Sequence, residues 1–334
     1  MKFLIILICL AGAGYYCFFH NPEIGDKITA KLGISRETEQ PASPQASEPI
    51  ESPELKFKEN TLGARLTELA KQNKLKIIVK KENSYSAPRP SKLVIKDLQE
   101  VVKDNAETLQ NARSLEQYNE FGLIPEKIGV ATALEYLSSL NAACSILIAS
   151  ARVQAAAGKT TAAVKDLARV THILNVTLND TQNLITLLVI SSWQQELQVA
   201  LRITKLPKAV KQKLQKNLPT RQMYATVLPQ TLDTEKQVLH DAYQLVKTGK
   251  MTERNFCMEA VDIKVLRKLS HDKIDKYWAM GTEQIISKFA DGTLSRQTTI
   301  DTGSADADLF VKKFMGAVGY GRISESLDGF KGKK

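Results

Sequence analysis

The sequence predicts a mainly α fold: an antiparallel helical bundle or set of helical hairpins behind an N-terminal anchor helix, with at most a short strand near 75–80. Three observations predict it. Apolar residues recur every three or four positions from Asn60 onward. Turn-formers are scarce, with 17 Gly and 11 Pro in 334 residues. Aromatic residues make up only 6%, which argues against a β-sandwich or barrel. With 43% hydrophobic and 25% charged residues, the chain can bury a sizeable core. This composition excludes a fully disordered chain, a collagen and a polytopic membrane protein.

The N-terminus carries the address. Lys2 precedes an uncharged run of 17 residues, Phe3 to Phe19, about 25 Å long as a helix. Tyr15, Tyr16, Phe18 and Phe19 stand at its far end, where an aromatic interface belt would lie. The favoured reading is a single-pass anchor in the inner (cytoplasmic) membrane with the bulk of the chain exported. The alternative is a signal peptide cleaved near Ala13, after Ala11-Gly12-Ala13, giving a secreted or periplasmic protein. Bulky Tyr15 and Tyr16 before Cys17 argue against a lipoprotein. Outside this run only Cys144 and Cys257 remain. Cys144 sits in an apolar helical stretch, where a buried free thiol is the expected state.

Residues 35–54, SRETEQPASPQASEPIESPE, hold one large apolar residue, Ile50. Such a segment cannot offset its ordering entropy and reads as part of a flexible tether. The chain then divides into an anchor or signal peptide (1–20), a Pro/Ser/Glu-rich tether (21–58), an N-terminal helical segment (59–125), a central hairpin core (126–250), and C-terminal helices with a Gly/Lys-rich tail (251–334).

Asn60 or Thr61 caps a first helix through Gln72, with Leu62, Leu66 and Leu69 on one face. Leu75 to Lys80, LKIIVK, reads as the short strand. One helix is expected from about Lys92 to Tyr118. In the centre, Leu134, Leu137, Leu140, Cys144, Leu147, Ile148 and Ala151 form one apolar stripe that Gly158 ends. A second helix carries Val164, Leu167, Val170, Leu174 and Leu178. Asn179-Asp180 is expected to cap a third, bearing Leu184, Leu187, Leu188, Trp193, Leu197 and Leu201. Alanines at the first turnaround let two antiparallel helices approach closely. Further helices are expected over 232–246, 261–269 and 274–289, with a looser tail from Asp291.

The stretch 134–245, about a third of the chain, resembles an uncharacterised bacterial family of singly membrane-anchored helical-hairpin proteins with a tetratricopeptide-like turn. The resemblance rests on Ala155-Ala156-Ala157-Gly158, then Ala163-Val164-Lys165-Asp166-Leu167, then Leu184-Ile185-Thr186-Leu187-Leu188-Val189. It implies an anchored helical fold and no known activity.

Several motifs fail on inspection. Gly158-Lys159-Thr160-Thr161 lacks the earlier glycine of a phosphate loop, since position 153 is Val153. Asp301-Thr302-Gly303-Ser304 has the letters of an aspartic-protease loop without a second copy, and Ser304 or Asp306 reads instead as a cap for a helix 307–315. His20, His172, His240 and His271 form no metal-binding spacing. Asp233 and Glu235 read as a solvated helix start. No catalytic residue, cofactor or metal follows from these.

Charge is the most informative feature. The net charge is +10. Between Glu196 and Asp233 lie 36 residues without an acid and with seven bases: Arg202, Lys205, Lys208, Lys211, Lys213, Lys216 and Arg221. On one face these would attract anionic headgroups or an envelope polymer. No stacking aromatics are interleaved among them, which argues against nucleic acid. The sequence therefore leads to a membrane-anchored exported scaffold or protein-interaction module. One alternative is a cell-envelope enzyme with a cleft between central and C-terminal helices. The other is a peripheral binder of anionic membrane or envelope polymer.

Overall fold

A computed structural model describes residues 54–77, 95–124, 132–249 and 265–328. The run 3–19, nearly all of the tether, His20 and Cys257 lie outside the described residues. The chain divides into two compact units. The larger takes in residues 54–128, 134–239 and 270–334, and the smaller takes in 1–53, 129–133 and 240–269. The fold is mainly helical, with no strand or sheet among the described residues.

In the larger unit, α1 (Leu62–Lys71) starts as predicted. The Thr61 hydroxyl accepts the N–H of Ala64, and Leu62, Leu66 and Leu69 are buried. Its first amides also find outside acceptors: Leu62 and Gly63 donate to the carbonyls of Glu120 and Phe121. Phe57, Phe121 and Tyr136 meet edge to face, with ring centres 5.3–5.7 Å apart, beside this junction.

Two sequence expectations change here. Residues 75–77 form no strand, while 78–80 lie outside the described residues. The carbonyls of Lys74 and Lys76 accept instead from Asn111 Nδ2 and Thr108 Oγ1, each at 3.0 Å. A strand needs a neighbouring backbone, and side chains take that place. The single helix over 92–118 is two, α2 (Ile95–Asp104) and α3 (Ala106–Ser114), followed by a 3₁₀ turn at Leu115–Gln117. Buried Asn105 breaks it by leaving helical geometry and donating its side-chain amide to the Val101 carbonyl at 2.8 Å.

The central helix α4 (Tyr136–Ala156) carries more than a stripe. Every residue from Ala142 to Ala151 is buried, because α4 packs against α1, α2, α3, α5 and α6 at once. A helix enclosed on all sides is apolar all round. It is long and apolar enough to cross a membrane, yet 72% of that stretch is buried within the protein. Its alanines and serines allow the close approach of α5 (Thr160–Asn179), its most extensively packed neighbour. The turn between them is a Schellman motif. Gly158 adopts φ 76°, Lys159 donates to Gln154, and Gly158 donates to Ala155. This is the hairpin that the sequence predicts.

The third helix of this core, α6 (Leu184–Ile203), is capped by Asn183, whose side chain accepts the N–H of Thr186 at 2.8 Å. The expected cap, Asp180, instead accepts the N–H of Gly122 at 3.0 Å. Next come α7 (Lys208–Lys216), which packs on α5 and α6, and α8 (Arg221–Lys247), which runs through Pro229.

The expected loose tail is two packed helices, α10 (Ala305–Phe314) and α11 (Ala317–Asp328), against α9 (His271–Ala290). Glycine makes the packing close. A Cβ on Gly321 would strike the backbone carbonyl of Ser295, and one on Gly281 would strike Met315 and Val311. Tyr277 and Trp278 of α9 meet Phe310 of α10. In the smaller unit, Lys247 donates to the Arg267 carbonyl at 2.7 Å and lies over the Tyr243 ring, whose hydroxyl donates to Leu269.

Gly158 and Gly321 separate two kinds of glycine requirement. Gly158 faces open space, so Gly158→Ala should cost about 1 kcal/mol, the left-handed penalty alone. Gly321→Ala meets backbone and should cost about 3 kcal/mol or more. Urea unfolding followed by circular dichroism measures both, and equal costs would contradict the close packing at Ser295.

Candidate functional site

Three groups of side chains could carry function. The first is the basic segment. Arg202, Lys205, Lys208, Lys213 and Lys216 are exposed. At about 100° per residue, Lys208, Lys213 and Lys216 fall on the outward arc of α7, opposite buried Leu214. Lys211 lies nearer the core, and its ammonium donates to the Arg202 carbonyl at 3.1 Å. That bond holds α7 against the end of α6. Arg221 leaves the set. It pairs with Asp328 at 2.7 Å, donates to Phe289 O and Ser324, and lies over the Phe289 ring. Six of the seven bases therefore share the α6–α7 corner, and Arg221 ties α8 to α9 and α11.

The second group surrounds Asp166, whose side chain has 0% exposure. Arg113 of α3 grips it through two nitrogens, at 3.0 and 2.8 Å. Ser150 and Gln154 of α4 each donate at 2.7 Å, and Arg169 donates at 2.8 Å. Arg169 also pairs with Glu116 on the 3₁₀ turn. Burial pushes the Asp166 carboxyl up, but the donated bonds and the arginine charges outweigh it, leaving the group below its ordinary value. A carboxylate held ionised by so many donors is poorly suited to proton transfer. Its chemistry is structural.

The third group lies at the N-terminus of α6. Glu235 of α8 accepts the N–H of Leu184 at 2.9 Å. The residue keeps some surface, while its carboxyl end is enclosed, and that enclosure raises its pKa despite the Leu184 bond. The Tyr320 hydroxyl is buried and makes no hydrogen bond among the described residues. Burial, and then the Glu235 charge, push its pKa up. On the other side of the α6 start, Tyr136 bonds to Thr186, and Asn183 donates to the Tyr136 hydroxyl.

The reading of Asp233 and Glu235 as a solvated helix start is corrected. Both sit well inside α8, because that helix begins before Pro229. Asp233 is exposed and Glu235 is not. The signal was present: Leu228, Leu232, Glu235 and Leu239 step by four, three and four, which puts the carboxylate on the apolar face.

The remaining motifs are structural. Asp301 Oδ1 accepts the N–H of Gly303, and the Thr302 amide and hydroxyl both donate to Asp308 at 2.7 Å. Ser304 occupies the cap position of α10 without a side-chain cap bond, so neither expected cap forms that bond, and Asp308 instead ties the preceding loop to the helix through Thr302. His172 contacts the Tyr118 carbonyl at 2.7 Å. Asp275, one turn from His271, pairs with Lys236 at 2.7 Å. No cluster of metal-binding side chains occurs among the described residues. Cys144 is buried and free, and burial pushes its thiol pKa up.

No protein-family model, curated protein or solved structure matches this chain. The functional reading therefore rests on its own residues.

Glu235 sets a pH dependence. Its folded pKa is raised, so its penalty on stability is absent below the unfolded value near about 4.3. The penalty grows as pH rises through the folded value. Glu235→Gln should raise the unfolding midpoint at neutral pH and make no difference in acid. Tyr320→Phe should leave stability unchanged or raised, because it removes a buried hydroxyl with no partner. Thermal unfolding across pH checks both. A Glu235→Gln variant destabilised at pH 7 would show that the charge itself is needed.

Proposed function

We infer that this chain is a membrane-anchored, exported helical scaffold whose folded part presents a face to a protein partner. In this reading residues 3–19 hold it in the inner membrane as a single pass, and the tether spaces the fold from the leaflet. The uncharged run 3–19 and the Pro/Ser/Glu-rich stretch that follows it support this reading.

The observation that carries the partner face is an exposed apolar pair. Singly exposed apolar residues are ordinary. Ile185 of α6 and Val318 of α11, 50% and 41% exposed, instead flank one contact. Leu184 packs there against Gly316 and Gly319, with the Leu184 methyl only 3.2 Å from where a Gly319 Cβ would stand. Leu309, 45% exposed, lies on α10, which packs on α11. The Asp166 network and the enclosed α4 give such a face a rigid backing, which lowers the entropy cost of association.

A photo-activated crosslinker placed at Val318 in the full chain should form one discrete adduct with another protein in the membrane fraction. Ile185→Glu should reduce that adduct several-fold. A chain that stays free of adducts counts against the partner face. Recovery of the adduct only in the soluble fraction would favour cleavage near Ala13 over anchoring.

A further inference from the structure

We propose that the α6–α7 corner is a second, reversible membrane contact, a docking surface for the anionic headgroups of the leaflet that holds the anchor. It deepens the anchored reading and rests on it.

The corner has the composition of an interfacial contact. Ile203 ends α6 and is 49% exposed. Arg202 and Lys205 flank it in sequence and are exposed. The Lys211 ammonium, bonded to the Arg202 carbonyl, sits one residue away from Ile203. Lys208, Lys213 and Lys216 extend the positive surface along the outer arc of α7. An apolar tip ringed by cations suits a headgroup layer, where the tip enters the acyl boundary and the bases meet phosphates.

Stability does not account for the charge at the start of α7, although Lys213 and Lys216 suit its last turn. Lys208 occupies the first position of α7, with no acid in the first turn, so its charge opposes the helix dipole. Lys208 and Lys211 are three residues apart, as are Lys213 and Lys216, and like charges at that spacing repel. None of Lys205, Lys208, Lys213 and Lys216 forms an ion pair among the described residues. Folding alone would favour an acid at the start of α7, and an anionic partner favours what is there.

Geometry makes weak docking sufficient. Residues 54–58 belong to the fold, where Phe57 pairs with Leu123, so the tether read from the sequence is 21–53, and as a flexible chain it would span about 32 Å root-mean-square. Anchoring through residues 3–19 would turn binding by the corner into an intramolecular event at raised effective concentration. A free anionic polymer would lack that advantage, so the observations favour lipid.

Hydrogen exchange of the full chain with vesicles tests the proposal. Peptides covering 202–217 should exchange about tenfold more slowly with phosphatidylcholine vesicles containing about 30% phosphatidylglycerol than with phosphatidylcholine alone. Salt at about 0.5 M should remove the difference, as should the combined Lys205→Glu, Lys208→Glu and Lys213→Glu variant. Ile203→Ser should reduce it while keeping every charge, which covers a charge-reversed chain that fails to fold. Inorganic phosphate should give no protection. Equal exchange with both vesicles would overturn the proposal. So would equal protection by soluble polyglycerol phosphate, which would assign the corner to a polymer. Flotation with neutral vesicles reports the anchor separately. A chain that does not float with them, yet is protected by anionic ones, keeps the corner and loses the anchor.

Discussion

Asp166 is a carboxylate with no surface of its own, and the central hairpin is arranged around keeping it charged. An ionised group removed from water costs several kcal/mol unless partners replace the solvent. Here the partners are four side chains from three helices. Arg113 arrives from α3, Ser150 and Gln154 from α4, and Arg169 from the next turn of α5, itself held by Glu116 on the 3₁₀ turn. Each bond fixes the rotation of a helix about its axis as well as its distance. Apolar packing alone is tolerant of such rotations, because volume matters more than direction. The network therefore sets the register in which α3, α4 and α5 meet.

Other features follow from that register. With α5 fixed along one side, α4 is closed off by α1, α2, α3 and α6, and its residues from Ala142 to Ala151 are all small or apolar. Its length and composition are those of a membrane span, and its surroundings are those of a core. Fixing α5 also positions Asp180 to receive Gly122, which ties the pairing of Phe57 with Leu123 to the hairpin. At the far end α6 begins with its amide on Glu235 and ends at the basic corner. One rigid helix thus joins the apolar pair at Ile185 and Val318 to the cationic surface around Ile203.

Much of this was legible in the sequence, and the gaps have physical reasons. The α4–α5 hairpin was readable because its signal is local: apolar periodicity, then Gly158 where the turn needs a positive φ. The break at Asn105 was missed because asparagine is tolerated in helices, and only its bond to Val101 shows why it stops one. The strand at 75–80 is a reading of β-branched residues without knowledge of a partner, and within its described part Asn111 and Thr108 bond the carbonyls of Lys74 and Lys76 instead. The glycines of the tail looked like looseness, and Gly321 permits close approach to the Ser295 backbone. Asp166 was visible only as a letter in Ala163-Val164-Lys165-Asp166-Leu167, since Arg113 lies 53 residues away. The basic corner was legible as an acid-free window. The removal of Arg221 from it was not, because Asp328 and Ser324 lie more than 100 residues on.

The Asp166 network determines the hairpin's register, and the decisive measurement is a double-mutant cycle on Arg113 and Asp166 by urea unfolding. Asp166→Ala alone should cost about 3 kcal/mol, because it strands two arginines and the Ser150 and Gln154 donors. Arg113→Ala alone should cost less, since Arg169, Ser150 and Gln154 still hold the carboxylate. The double variant should fall short of the sum by about 1 kcal/mol or more. Costs that add within about 0.5 kcal/mol, with Asp166→Ala near neutral, would contradict the claim and leave apolar packing as what sets the helices.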